Sequence, residues 1–141
     1  MKRHASLVFT AIAVIAISVG GSLYAQSSQR LHADIPFEFV ASNVRFPAGT
    51  YDVVPMQPGK VLIRSADFRN AGIVSAIPTQ TGKTSSETKL VFNRYGNRYF
   101  LSQIWTVGDD TGRELSKSRA EREMARNLKS DWPTDIAATL K

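Results

Sequence analysis

Residues 89–105 read KLVFNRYGNRYFLSQIW, and this stretch decides the fold class. Two runs rich in aromatic and β-branched residues flank Gly96-Asn97, and glycine at the first central position supplies the positive φ of a type II′ turn. A two-residue turn predicts four cross-strand pairs: Tyr95 with Arg98, Arg94 with Tyr99, Phe92 with Leu101, and Leu90 with Gln103. The stretch therefore predicts an antiparallel hairpin whose core-facing side carries Leu90, Phe92, Tyr99, Leu101 and Trp105.

Upstream of this hairpin the chain shows a similar alternation of apolar and polar residues. Short apolar runs alternate with period two and are interrupted by Gly, Pro, Asn and Asp about every eight to twelve residues. In residues 33–40, for example, Ile35, Phe37 and Phe39 fall on one face of a predicted strand. We therefore expect an all-β fold of about seven antiparallel strands, arranged as a sandwich or a partly open barrel.

The pattern changes after the hairpin, where residues 114–128 have the composition of an amphipathic helix. Two capping boxes compete for its start, Thr111 with Glu114 and Ser118 with Glu121. The predicted apolar stripe is thin and consists of Ala120, Met124 and Leu128. The sequence therefore predicts a turn and C-terminal helix over 109–128 and a tail over 129–141, which contains Trp132-Pro133.

The N-terminus has the order of a secretory signal peptide. Lys2 and Arg3 precede an uncharged apolar run over 7–19, and small and polar residues follow. We expect a cleavable signal helix over 1–25, a linker over 26–32 and a β domain over 33–108. The alternative is an uncleaved anchor. Either way the expected location is the periplasm or the exterior of the cell.

Composition excludes several chemistries. The 141 residues contain 18 Lys and Arg, 12 Asp and Glu, two His and no Cys, which rules out disulfides, thiolate metal sites and cysteine nucleophiles. Removing residues 1–25 lowers the formal net charge from +6 to +4. An exported protein with this charge is expected to meet an anionic envelope polymer, a polysaccharide or another envelope protein, not nucleic acid, and no cofactor is predicted.

Three short segments match part of a known functional motif but lack the flanking residues that the motif requires. Gly82-Lys83-Thr84 lacks the first glycine of a phosphate-binding loop, because position 77 is Ile. The Asp110-Thr111-Gly112 tripeptide of aspartic proteases is followed by charged residues. Asp109 and Asp110 are weak metal candidates, since calcium loops space their carboxylates differently. A catalytic carboxylate pair would have to come from Asp34, Glu38, Asp52 or Asp67 meeting in space.

The hairpin tip concentrates the best binding candidates, Arg94, Tyr95, Arg98 and Tyr99. Each arginine is predicted opposite a tyrosine, so the four side chains form either a patch for sugars and anionic polymers or a set of stacked pairs that stabilises the hairpin.

Four segments carry a family resemblance: ADIPFEF at 33–39, FPAGTY at 46–51, NRYGNRYFL at 93–101 and ELSKSRAERE at 114–123. Together they resemble a group of small exported proteins of acidobacteria that are described only as hypothetical. The resemblance spans roughly residues 33–127. It implies an exported β domain and assigns no catalytic residue.

These observations favour a non-catalytic binding or structural module of the cell envelope. Two alternatives stay open. A small carboxylate-dependent hydrolase or carbohydrate-active enzyme requires two acidic groups in one cleft. A barrel carrier of a small apolar ligand requires an open apolar interior.

Overall fold

The structure, a computed structural model, describes residues 29–56, 59–127, 134–137 and 139–140. The predicted signal peptide lies outside the described residues, as does Trp132-Pro133. Among the described residues, no helix has the length and apolar character needed to cross a membrane.

The described chain forms eleven strands and one helix. The strands are β1 (Leu31–Ile35), β2 (Phe39–Ala41), β3 (Val44–Phe46), β4 (Gly49–Pro55), β5 (Lys60–Ser65), β6 (Ala71–Gln80), β7 (Lys89–Tyr95), β8 (Arg98–Trp105), β9 (Thr111–Leu115), β10 (Thr134–Ala137) and β11 (Thr139–Leu140). The helix α1 (Arg119–Asn127) lies between β9 and β10. The predicted all-β fold class is confirmed, because the described residues are mostly β and contain a single helix near the C-terminus.

Nine strands form one open sheet in the order β10-β7-β8-β9-β6-β5-β4-β1-β11, and β2 pairs with β3 and β8 beside this path. The long strand β6 joins its two halves, because residues 71–75 pair with β5 and residues 76–80 pair with β9. The first and last strands of the order are adjacent in sequence, since β10 ends at Ala137 and β11 begins at Thr139. Two residues of chain reach at most about 7 Å, so the two edges of the sheet lie close together.

The core lies inside this curled sheet and is rich in aromatic rings. Phe39 stacks on Phe46 with ring centroids 5.1 Å apart and meets the edges of Tyr51 and Phe92 at 5.3 and 5.5 Å. All four rings are fully buried. Burying one such side chain contributes about 1.5–3 kcal/mol, so this cluster ties four separate strands into one body.

The central hairpin forms as predicted at its turn. Gly96 has a φ of 60°, and the φ of Asn97 is not positive. A positive φ at the first central position alone is the type II′ pattern. Three of the predicted pairs are confirmed, but Leu90 lies opposite Ile104 because the register shifts between Val91 and Phe92. This bulge places Ile104 on the core face of the hairpin. The predicted core-facing position of Trp105 is therefore wrong, because its ring is buried on the other face, beside Gly112.

Strand count and boundaries differ from the sequence prediction. Eleven strands form instead of about seven, because the predicted strand over 33–40 is two strands and short segments pair at the sheet margins. One pair, β2 with β8, is parallel. The predicted linker over 26–32 and tail over 129–141 are wrong in part, since β1 begins at Leu31 and β10 and β11 belong to the sheet.

The helix begins later than its composition indicated. Thr111–Leu115 pairs with β6 and β8 as β9, so Thr111 and Glu114 do not cap a helix and the β domain extends beyond residue 108. Backbone pairing to two neighbouring strands outweighs the weak helical preference of this segment. Ser118 is the cap, because its Oγ accepts a hydrogen bond from the Glu121 N–H at 3.0 Å.

Candidate functional site

Helix α1 covers the outer face of the hairpin near its tip. Glu121 is only 4% exposed, and its Oε1 accepts a hydrogen bond of 3.0 Å from Asn93 Nδ2. On the same face of the hairpin, Tyr95 meets the edge of Phe100 at 5.8 Å, and both are buried. The helix therefore makes a part-buried polar contact with the hairpin, which the thin apolar stripe in the sequence did not predict. Of that stripe, Ala120 and Met124 are half-buried and Leu128 lies outside the described residues.

The predicted binding patch at the hairpin tip is largely occupied by contacts within the protein. Tyr95 is 3% exposed and its ring meets Phe100, so it does not contribute to the exposed surface of the tip. Tyr99 is stacked on Phe37 with centroids 3.9 Å apart. For Arg94, Arg98 and Tyr99 a role in binding stays a prediction.

The two arginines of the tip also have partners. Arg94 Nε donates to the Gly96 carbonyl at 2.8 Å, and its guanidinium lies 5.5 Å from the Tyr99 ring. Arg98 lies over Phe100, not over Tyr95, and its Nη1 is 3.6 Å from Met124 Sδ. The cross-strand stacking that the sequence suggested is thus present for Arg94, and it stabilises the tip.

A different surface brings cations together without burying them. A cavity of about 450 Å³ opens between the β2–β3 turn, strand β6 and the segment that leads into α1. Among the described residues, those that line it with a charge are Lys117, Arg119 and Arg122, and none is a carboxylate. We call it the basic cavity. Polar groups complete its wall: Ser42, Asn43, Ser75, Ser116 and Ser118.

Local contacts hold the walls of the basic cavity in place. Ser42 Oγ lies 3.4 Å from the Ser116 carbonyl oxygen, which links the β2–β3 turn to the start of the helix segment. Arg122 Nη1 donates to the Lys117 carbonyl oxygen at 2.6 Å, and Arg119 Nε donates to Glu123 Oε1 at 2.9 Å. All three cationic residues are nevertheless exposed to solvent. The cavity therefore presents positive charge beside hydroxyl and amide groups, an arrangement that suits an anionic ligand.

Sequence reasoning missed the basic cavity because its walls come from segments more than 70 residues apart, as the separation of 74 between Ser42 and Ser116 shows. The only signal in the sequence was the charged run Lys117–Arg122, which falls within the segment that we predicted as an amphipathic helix. Nothing in that run predicts which turn will lie against it.

The sequence also gave no sign of a polar row on the outer face of the sheet. His32 Nδ1 lies 2.8 Å from Asp52 Oδ1, and Asp52 Oδ2 lies 3.8 Å from Arg64 Nη2 and 3.9 Å from Arg30 Nη1. These contacts follow from the register, which places His32 opposite Asp52 and Asp52 opposite Arg64. The row balances one carboxylate with cations on neighbouring strands.

The other acidic candidates have separate partners. Asp34 Oδ1 lies 3.4 Å from Thr50 Oγ1, and Glu38 pairs with Arg45 at 3.5 Å. Asp67 accepts hydrogen bonds from Ser65 Oγ and the Arg69 N–H, and these bonds lower the pKa of its carboxyl. Burial, with a smaller contribution from Asp67, raises the pKa of Tyr51. None of these contacts joins two carboxylates.

Asp109 and Asp110, the weak metal candidates, lie in the turn before β9. The backbone of Asp109 pairs with that of Ser85, and Asp110 Oδ1 contacts Thr111 Oγ1 at 3.0 Å. Among the residues that the structure describes, no three His, Cys, Asp or Glu side chains gather in a metal-binding group. The turn joins two loops by backbone hydrogen bonds.

No protein-family model, curated protein or solved structure matches this chain. The resemblance to small exported proteins of acidobacteria therefore remains an expectation from the sequence.

Proposed function

We propose that the protein is an exported, non-catalytic binding module of the cell envelope that binds an anionic envelope component through the basic cavity. The observation that carries this proposal is the lining of the cavity, to which the described part of the chain contributes three exposed cations, five hydroxyl or amide side chains and no carboxylate. A ligand with several negative charges gains from such a surface, because exposed cations attract it over about 8–10 Å at moderate ionic strength.

The packed interior supports this proposal over a carrier for an apolar ligand. Phe39, Phe46 and Phe92 fill the centre of the curled sheet and contact one another or Tyr51. A carrier requires an open apolar interior.

Binding to polygalacturonate, a soluble anionic polymer, tests the proposal, with neutral dextran as the comparison. We expect the full chain to bind polygalacturonate and not dextran. The variant Lys117→Gln/Arg119→Gln/Arg122→Gln should bind at least about tenfold more weakly, which is a loss of about 1.4 kcal/mol.

A charge-matched control separates the cavity from net charge. Arg30→Gln/Arg69→Gln/Lys83→Gln removes three exposed cations elsewhere on the described surface and should change the affinity less than about threefold. Equal losses in the two triple variants would mean that overall charge alone drives binding, and absence of binding to any polyanion would overturn the proposal.

A further inference from the structure

The outer face of the sheet next to the basic cavity is apolar where a solvent-facing sheet is expected to be polar. Val54, Leu62 and Ile73 lie opposite one another across β4, β5 and β6. Their neighbours in sequence, Val53, Ile63 and Val74, are buried, so the three side chains point outward. We call them the apolar row.

The apolar row is most exposed at β6. Ile73 is 58% exposed, and Ile77, four residues further along the same strand, is 60% exposed. Val54 and Leu62 are half-buried. A single exposed isoleucine is ordinary, but a row across three strands that ends in two exposed isoleucines is typical of a surface that meets an apolar partner.

Cations flank this apolar surface on several sides. Ile73 itself lines the basic cavity together with Lys117 and Arg119. On the next row of the sheet, Lys60 Nζ donates to Ser75 Oγ at 2.9 Å. On the opposite side of the apolar row lies Arg64, with its guanidinium 4.6 Å from the Phe68 ring, which is 70% exposed.

The carboxylates of this region are partly covered or lie beside cations. Asp52 lies within 4.0 Å of His32, Arg30 and Arg64. Glu114, which the register places opposite Ile77, is half-buried. The exposed carboxylates of Asp67 and Glu123 pair with Arg69 and Arg119. Apolar side chains therefore adjoin cations on this part of the outer face.

We propose that this surface docks on a bilayer that contains anionic phospholipids, with Ile73 and Ile77 entering the interface and the basic cavity accepting a lipid phosphate. The inference rests on the proposed function and names its ligand. A soluble polyanion would use the cations alone, whereas a bilayer offers negative charge and an apolar layer at the same place. Charge complementarity together with the adjoining isoleucines favours the bilayer.

Sedimentation with vesicles tests this inference. The probes are vesicles of phosphatidylglycerol mixed with phosphatidylcholine, and vesicles of phosphatidylcholine alone. We expect the full chain to bind the anionic vesicles at least about tenfold more tightly than the neutral ones, since each cation near the surface adds several-fold to affinity.

The variant Ile77→Ser separates the bilayer from a soluble polymer, because Ile77 is 60% exposed and is not among the residues that line the basic cavity. It should weaken binding to anionic vesicles several-fold and leave binding to polygalacturonate unchanged. Val107→Ser is the matched control, because Val107 is 47% exposed in the turn after β8 and should not affect vesicle binding. Thermal melting of each variant checks that it folds.

Each remaining outcome counts against a specific claim. Binding to polygalacturonate without binding to anionic vesicles would overturn this inference and leave the proposed function standing. Equal binding to neutral and anionic vesicles would also overturn it, because the N-terminal apolar run would then suffice. Absence of binding to both polyanion and vesicles would overturn both proposals.

Discussion

The hairpin tip and the basic cavity are both rich in cations, yet they use them differently. At the tip, Arg94 contacts the Gly96 carbonyl and lies over Tyr99, and Tyr95 is buried against Phe100. At the basic cavity, Lys117, Arg119 and Arg122 face solvent around an open volume. The difference shows that a concentration of aromatic and basic residues in sequence identifies a folding unit, whereas a binding surface requires side chains that the fold leaves accessible.

Truncating the buried ring of the tip should have the largest effect. Tyr95→Ala removes a buried aromatic side chain that meets Phe100, and we expect it to lower the free energy of unfolding by about 3–5 kcal/mol. Arg119→Ala, on the cavity rim, should change it by no more than about 0.5 kcal/mol. Urea unfolding measures both values. Similar small losses would contradict the assignment of the tip as structural.

Loss of the hydrogen bond between α1 and the hairpin should cause the second largest decrease in the free energy of unfolding. Asn93→Leu leaves the buried Glu121 carboxylate without this donor, and we expect a loss of about 1–3 kcal/mol in the free energy of unfolding. The double variant Asn93→Leu/Glu121→Leu should recover most of that loss, because no buried charge then remains. If the single variant is as stable as the native protein in urea unfolding, the contact does not hold the helix.

Ser118 contributes both to the stability of the fold and to the candidate binding site, because it caps α1 and lines the basic cavity. Ser118→Ala should cost about 1 kcal/mol of unfolding free energy through loss of the cap. Ser118→Asp keeps an oxygen acceptor and so should keep most of the stability, but it places a carboxylate in the cavity and should weaken polygalacturonate binding. Unchanged affinity in Ser118→Asp would argue against an anion at this position.

These comparisons also show what the sequence predicts and why. The β class, the type II′ turn and the tip register follow from period-two alternation and from Gly96, which are local properties. The Ser118–Glu121 cap was one of two that the sequence allowed. The alternative cap at Thr111 does not form, because Thr111–Leu115 is a strand that pairs with β6 and β8. This pairing depends on residues that are distant in sequence.

Contacts between distant segments account for what the sequence did not predict. The bulge in the hairpin, the strands of the C-terminal segment and the buried Glu121 each depend on what lies alongside. The basic cavity is the clearest case, since Ser42 and Ser116 are 74 residues apart in sequence and β2, which precedes Ser42, pairs with the distant strand β8.

Replacing Asp67 is expected to change the stability of the protein least. This residue lies neither in the lining of the basic cavity nor at the hairpin tip. Its hydrogen bonds with Ser65 and the Arg69 N–H lower the pKa of its carboxyl below the usual value of an aspartate. The ionised form is thus favoured by folding, so its contribution to stability is present above that value and is lost as pH falls through the lower folded pKa. Asp67→Asn should reduce stability at pH 7 and make little difference in strong acid. Urea unfolding at both pH values checks this, and a difference that grows on acidification would contradict it.

The central claim, that the basic cavity and not the hairpin tip binds anions, is tested most directly by two matched double variants of the full chain. Arg119→Gln/Arg122→Gln and Arg94→Gln/Arg98→Gln each remove two cations, and titration with polygalacturonate measures the affinity of each. We predict a loss of about tenfold or more for the cavity variant and less than about threefold for the tip variant. An equal or larger loss in the tip variant would contradict the account.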